Sequence, residues 1–160
     1  MYVRDSVGHW RRREDRCKDV EATSMLVATA SEDRLFSLCG NGDPDTGLSF
    51  DVYRSDDTGR TWQRQAAGAL TATGEWLTAT ATTRRTVLVG TGDSDGRTGT
   101  VQVSVDSGST WQAPTGLPAG GCRYLGANSA SKVIALPAMP TDALYVSFDG
   151  GRSFQAARVR

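Results

Sequence analysis

Only one histidine, His9, and three scattered cysteines, Cys17, Cys39 and Cys122, occur in these 160 residues. That scarcity excludes a zinc site built from clustered His and Cys side chains. It also excludes a serine–histidine–acid triad, since the only available base lies in an N-terminal turn. Long apolar runs are absent as well: stretches such as Met25 to Ala30 fall far short of the ~20 residues that span a bilayer. No charge surplus exists, because 18 Lys and Arg balance 18 Asp and Glu, so nothing electrostatic points to nucleic acid. The basic run Arg11, Arg12 and Arg13 is answered at once by Glu14 and Asp15. No glycine-rich phosphate loop leads into a helix, and no helical period is found. The opening residues lack the basic, apolar and small-residue sections of a secretory signal. Neither a metal nor a cofactor is expected.

What is present is a repeat. Ser55-Asp56-Asp57-Thr58-Gly59-Arg60-Thr61-Trp62 returns as Ser104-Val105-Asp106-Ser107-Gly108-Ser109-Thr110-Trp111 and again as Ser147-Phe148-Asp149-Gly150-Gly151-Arg152-Ser153-Phe154. The common form is Ser-x-Asp-x-Gly-x-Thr/Ser-Trp/Phe. A worn copy stands at the start, where Asp5 and Trp10 keep the spacing from acid to aromatic while Val3, Val7 and His9 replace the Ser, Gly and Thr. Successive aspartates lie about 43 to 52 residues apart, the length of one four-stranded propeller blade.

Between the repeats run short β-branched and aromatic segments bounded by Gly, Asp, Asn and Pro. Met25 to Ala30, Trp76 to Ala81 and Tyr124 to Ser129 align as innermost strands. Second strands are predicted over Arg34 to Leu38, Thr86 to Gly90 and Lys132 to Leu136. Third strands are predicted over Phe50 to Arg54, Thr100 to Val103 and Leu144 to Val146. Each repeat then turns the chain into a fourth strand. Its carboxylate would accept backbone N–H groups, its Gly would take the positive φ of a tight reversal, and its aromatic would pack between sheets. On this reading Asp57, Asp106 and Asp149 hold the fold and do no chemistry.

The repeat resembles the Asp-box, or BNR repeat, and the resemblance covers nearly the whole chain. It implies an all-β fold, a partial β-propeller of about three four-stranded antiparallel blades. Residues 1–16 would be the last turn and strand of a preceding blade, followed by blades at 17–69, 70–118 and 119–160. Propellers close as rings of four to eight blades, so something must complete this one. It would be either the missing blades of a longer propeller, the favoured expectation, or a second copy.

The same family contains sialidases, other glycoside hydrolases, sortilin-type receptors and photosystem assembly factors, so the resemblance implies a fold and leaves the activity open. The early Arg-Ile-Pro motif of sialidases does not occur. The rim opposite the box turns is the place to look for a site. Ser24, Glu75 and Arg123 occupy equivalent positions at the mouths of the inner strands, followed by Met25, Trp76 and Tyr124. Glu75, Trp76, Arg123 and Tyr124 are the expected ligand-binding rim. Glu75, Arg123 and Tyr124 would be the catalytic candidates of a sialidase-like hydrolase, the alternative to a non-enzymatic module that binds a glycan or a protein. Acidic loops at 41–47 and 92–97 share that rim, but neither carries the Glu that ends an EF-hand loop.

Cys17 precedes the first inner strand and Cys39 ends the second, which makes them neighbours in an antiparallel pair. They form either a disulfide or two reduced thiols, and Cys122 has no obvious partner. Family resemblance places the protein outside the cell or on its surface.

Overall fold

The structure is a computed structural model, and it describes residues 2–4, 8–14, 16–18, 24–28, 34–43, 47–65, 70–74, 76–139 and 141–158. Among them are fourteen strands and no helix, and no helix long and apolar enough to cross a membrane. The middle of the worn N-terminal repeat, Asp5 to Val7, lies outside the described residues, as does Glu75.

Among the described residues every pairing between strands is antiparallel and local in sequence, isolated bridges aside. A first, two-stranded sheet joins β1 (Tyr2–Arg4) to β2 (Trp10–Arg12). The second sheet runs in order β3 (Ser24–Ala28), β4 (Leu35–Asp43), β5 (Gly47–Ser55) and β6 (Gln63–Arg64). β7 (Leu70–Ala72) also pairs with β5, beyond the place where β6 leaves it. The third sheet holds β8 (Trp76–Ala81), β9 (Val87–Gly92) and β10 (Val101–Ser104). The fourth holds β11 (Cys122–Ala127), β12 (Val133–Pro137), β13 (Ala143–Ser147) and β14 (Gln155–Arg158).

The expected fourth strand of the third sheet is reduced to a single bridge between Val103 and Gln112. Pro114 follows two residues later and has no N–H to continue a ladder. The chain instead turns to the next sheet, where Thr115 pairs in parallel with Ser153.

Period-two alternation decides how the sheets stack. In β9, Val87 and Val89 belong to a core with Phe36, Leu38, Phe50 and Val52 of the second sheet. Leu88, between them, belongs to a second core with Leu125, Val133, Ala135 and Phe154. One strand thus feeds two cores, and the third sheet is buried on both faces. Each of these side chains contributes roughly 1.5–3 kcal/mol by leaving water. The first strands lie side by side, β3 next to β8 and β8 next to β11. The Thr78 hydroxyl accepts the Leu125 N–H at 3.0 Å and stitches the last two together.

At the N-terminal side, Cys17 is joined to Cys39 with their Cα atoms 5.3 Å apart, and both residues are buried. The Ser37 hydroxyl donates to the Cys17 sulfur at 3.2 Å, and the Arg16 guanidinium lies 4.5 Å from the centre of the Tyr53 ring. A bridge closing a loop of this length stabilises by about 3 kcal/mol on the chain-entropy account. Cys122 is buried and unbridged, and burial pushes its thiol up to about 12.

Thiol labelling checks this arrangement. One cysteine should react in denaturant without reductant and all three after reduction, while the native protein reacts slowly because Cys122 is buried and protonated. Three reactive thiols before reduction would refute the bridge.

Candidate functional site

The three intact repeats adopt one hydrogen-bonded turn. In each, the Ser hydroxyl donates to the Asp Oδ1 at 2.8 Å. The same Ser oxygen accepts the Gly N–H, at 2.7 Å from Gly59 and 2.8 Å from Gly108 and Gly151. The Asp Oδ1 also accepts the backbone N–H four residues on, at 2.9 Å from Thr61 and Thr110 and 3.0 Å from Ser153. The Oδ2 atom takes the hydroxyl of the same residue, at 2.7, 2.6 and 2.6 Å respectively.

Partial burial pushes these carboxyls upward, but the hydrogen bonds from the following Thr or Ser, the Ser two residues before and the backbone outweigh it. Asp57 is held at about 2, and Asp106 and Asp149 also lie below the usual carboxylate range. A carboxylate ionised at every working pH, with both oxygens engaged, does not shuttle protons.

Two glycines show why the motif is strict. Gly108 has φ +90° and a Cβ there would lie 2.8 Å from Val52 Cγ1; Gly151 has φ +94° and its Cβ would lie 2.3 Å from Leu88 Cδ2. Each turn is therefore pressed against the sheet before its own, at a backbone angle that side chains rarely adopt. The aromatic follows the same route: Trp111 packs on the core between the second and third sheets, and Phe154 is part of the core between the third and fourth. The residue before the Gly ties the turn to its own sheet, through Ser107 N–H to Arg85 O and Gly150 N–H to Ser131 O, both 2.8 Å.

On the opposite rim, a cleft of about 540 Å³ opens between the tip of the β4–β5 hairpin, β7 and the start of β10. Among the described residues its polar lining is neutral: Asn41, Ser49, Thr71, Thr73 and Thr100 stand around Ala72. The wall is fixed by Gln102 Nε2 donating to Thr71 O at 2.7 Å and by Thr100 N–H donating to Thr91 Oγ1 at 3.1 Å. Such a surface offers hydroxyl, amide and backbone hydrogen bonds and, among the described residues, no acid–base pair. Sequence reasoning missed it, because its threonines come from segments with no local motif.

The neighbouring acidic loop is self-satisfied. Asp93 accepts the N–H groups of Arg97 at 2.9 Å and Thr98 at 3.0 Å, and its carboxyl is lowered by the Thr98 hydroxyl and these N–H groups. Asp95 is exposed. Among the described residues no group of His, Cys, Asp and Glu is arranged to hold a metal ion.

The aromatic residues expected on the rim are placed differently. Trp76 is half-buried, with its indole nitrogen out of contact with solvent. Its ring lies across Gly92 towards Ala138, where a Cβ on Gly92 would meet Trp76 Nε1 at 2.8 Å and Ala138 Cβ at 2.9 Å. It fills the gap between the third sheet and the fourth. Tyr124 is 50% exposed, on the face of the fourth sheet opposite to Leu125. Its hydroxyl end folds over Gly126, where a Cβ would lie 2.3 Å away. Register makes Thr78, not Trp76, the counterpart of Tyr124: Ala81 pairs with Val87 and Ala127 with Val133, so the aligned Trp76 and Tyr124 stand two residues out of step, although both lie on the same side of their sheets. They do not meet on one surface. Arg123 is exposed at a register shift between Cys122 and Tyr124. The side chains of Ser24 and Met25 and all of Glu75 lie outside the described residues.

No protein-family model matches the chain, and no curated protein matches it. Solved structures do. A GH74 enzyme from Niastella koreensis superposes with TM-score 0.56 at 20% identity, over 82% of this chain and 22% of its own. The GH74 xyloglucanase from Xanthomonas campestris gives TM-score 0.55 at 22% identity with the same coverages. YCF48 bound to D1 peptide gives 0.47 at 13% identity, over 82% of this chain and 38% of its own. The GH74 structures are β-propellers, and at these identities the likeness establishes the fold alone. The chain spans about a fifth of their length.

Two measurements test the turns. Asp106→Ala removes bonds to Ser104 and Thr110 and should cost about 1–3 kcal/mol of stability in a denaturant titration; an unchanged midpoint would contradict the clamp. The second is pH dependence. The folded carboxyls lie below the ordinary unfolded value of about 3.9, so their contribution is complete above it and is lost as pH falls towards about 2. The melting temperature should hold from neutral pH to about 5 and then drop, less steeply in Asp106→Ala.

Proposed function

We propose that this chain is a segment of an Asp-box propeller that binds a ligand without transforming it, and that the neutral cleft on the rim opposite the box turns is its contact surface. Each sheet with its box turn forms one blade, over 17–69, 70–118 and 119–160, with residues 1–16 closing a preceding blade. The observation that carries the reading is the division of labour between the two rims. Every box carboxylate is committed to its own turn, while the cleft presents neutral hydroxyls and an amide, Asn41 bonded to Cys39 O and Ser49 to Asn41 O along its edge.

Such a lining suits neutral, hydroxyl-rich or backbone-like ligands, either a glycan or an extended stretch of protein. A glycan is favoured because alternating hydroxyl donors and acceptors with an apolar floor at Ala72 match a sugar's edge and face. Export to the cell exterior fits the Cys17–Cys39 bridge, since disulfides persist in oxidising compartments.

The alternative, a sialidase-like hydrolase, places Arg123 and Tyr124 in the chemistry with Glu75. Against it, the Tyr124 hydroxyl end folds back over Gly126 of its own sheet, and the ring lies on the sheet face that also carries Ile134 and Leu136.

Titration of labelled protein with neutral oligosaccharides, xyloglucan fragments included, should perturb the amide resonances of Thr71, Thr73 and Thr100, and Thr100→Val should weaken binding about 5- to 10-fold. Turnover of a fluorogenic sialoside abolished by Tyr124→Phe would replace this reading with the hydrolase.

A further inference from the structure

The junction between the second and third sheets can be compared residue by residue with that between the third and fourth. Leu35, Val87 and Val133 pair with the box serines Ser55, Ser104 and Ser147. One step beyond those pairs stand Arg34 with Asp56, Thr86 with Val105, and Lys132 with Phe148. At the earlier junction the Arg34 guanidinium pairs with Asp56 of its own sheet and crosses to the next, donating to Arg84 O and, at 3.3 Å, to the Ser107 hydroxyl. Lys132 also leans on its partner, its ammonium 5.9 Å from the centre of the Phe148 ring. Of these three sheets only the third carries a short, neutral side chain at this place.

Three replacements open the later junction. Thr86 stands for Arg34, Val105 for Asp56 and Gly150 for Ser107, and a cleft of about 570 Å³ lies where the arginine latch would be. Both its walls belong to the packed pair of third and fourth sheets.

The cleft is rich in donors. Thr83 and Arg85 line it from the third sheet, Ser131 and Arg152 from the fourth, and both arginines are exposed. Arg152 is held at the rim, its Nη1 donating to Asp149 O at 2.9 Å. Thr83 Oγ1 accepts the N–H groups of Arg85 and Thr86 at 3.1 and 3.0 Å, which leaves its own proton to donate. The carboxylate at the cleft, that of Asp149, already takes hydrogen bonds from Ser147, Arg152 and Ser153. Behind Gly150 lies Thr82, 2% exposed, whose hydroxyl is buried without a hydrogen-bond partner, 3.7 Å from where a Cβ on Gly150 would stand. Buried hydroxyls are ordinarily met, so this one marks the floor of the cleft as a place for a further acceptor.

We infer that this cleft is an oxyanion site, taking a tetrahedral anion of the sulfate or phosphate class between Arg85 and Arg152, with the hydroxyls of Thr83 and Ser131 as further donors. Two guanidinium groups stand against one carboxylate that is engaged within its own turn, so positive charge is in excess. Guanidinium and hydroxyl donors together are the set that grips such oxygens. The cleft is larger than an inorganic ion and also admits the sugar of a sulfate or phosphate ester. It is separate from the neutral cleft on the opposite rim and does not depend on what that cleft binds.

Titration of isotope-labelled protein at constant ionic strength tests this, with inorganic sulfate, inorganic phosphate, sulfated glucose and phosphorylated glucose as probes and chloride and plain glucose as controls. The free ions should move the amide resonances of Thr86, Val105, Ser131 and Gly150 saturably and leave those of Thr71 and Thr73 in place, and the controls should leave the first four in place. Arg85→Gln should weaken binding about 10-fold at an unchanged melting temperature, whereas Arg97→Gln, on the opposite rim, should not. Installing the latch, by Thr86→Arg with Val105→Asp, should fill the cleft and abolish the shifts; should that variant fail to fold, Arg152→Gln replaces it and should weaken binding as Arg85→Gln does. Tighter binding of the esters than of the free ions assigns the site to a substituted sugar, and equal or weaker binding assigns it to the ion itself. Shifts that do not saturate, that survive the installed latch, or that fall as far in Arg97→Gln as in Arg85→Gln would overturn the inference.

Discussion

The carboxylate clamp inside each repeated turn is the constraint from which the rest of the structure follows. A reversal with two successive residues at positive φ, as at Thr58 and Gly59 or Ser107 and Gly108, does not hold itself closed. The Ser hydroxyl and Asp carboxylate supply an internal set of donors and acceptors that does so without help from a distant segment. Once closed, the turn puts a bare glycine edge against the sheet before it and aims an aromatic into the same gap. The spacing between sheets is thereby set by a few residues that contact each other locally, and the long strands need supply only alternating apolar side chains. The same economy removes these aspartates from any chemistry.

How much of this was legible in sequence depended on whether the determining contacts were local. The turns were, since all three copies bond within eight residues, and so were the strands up to each box, because β-branched residues in alternation leave little other choice. The truncated fourth strand of the third sheet could have been read from Pro114 but is outweighed, in a pattern search, by the copies on either side. Placing Trp76 and Tyr124 on a common rim failed for a different reason. Trp76 begins its inner strand but Tyr124 is the third residue of its own, and which neighbour each meets is set by register with the next strand, Gly92 for one and Leu136 for the other. The burial of Trp76 was set in addition by a neighbouring sheet that alignment of repeats does not represent. The cleft was invisible altogether, being assembled from Asn41, Thr71 and Thr100, which are far apart in the chain and individually unremarkable.

The two rims are under different demands. The box rim is occupied by backbone reversals in which each carboxylate is satisfied within its own turn. The opposite rim is made of hairpin tips whose sequences differ from sheet to sheet: Asp93 braces its own loop, whereas the β4–β5 tip leaves Asn41 and Ser49 at the edge of a cleft. Variation is tolerated there because the clamp on the other side already fixes each sheet. A scaffold of this kind separates the residues that make it fold from those free to acquire a partner.

The glycine of each turn, resting on the preceding sheet at Val52 or Leu88, gives the array a direction, like bricks that each carry a tongue on one side and a groove on the other. A duplicated unit inserted anywhere would arrive with both halves of the joint, so the array can lengthen or shorten by whole units without redesign of any contact. A cut made midway through a unit, by contrast, separates a tongue from the sheet that positions it and damages two joints at once. Gain and loss of whole units is therefore the inexpensive direction of change for this architecture.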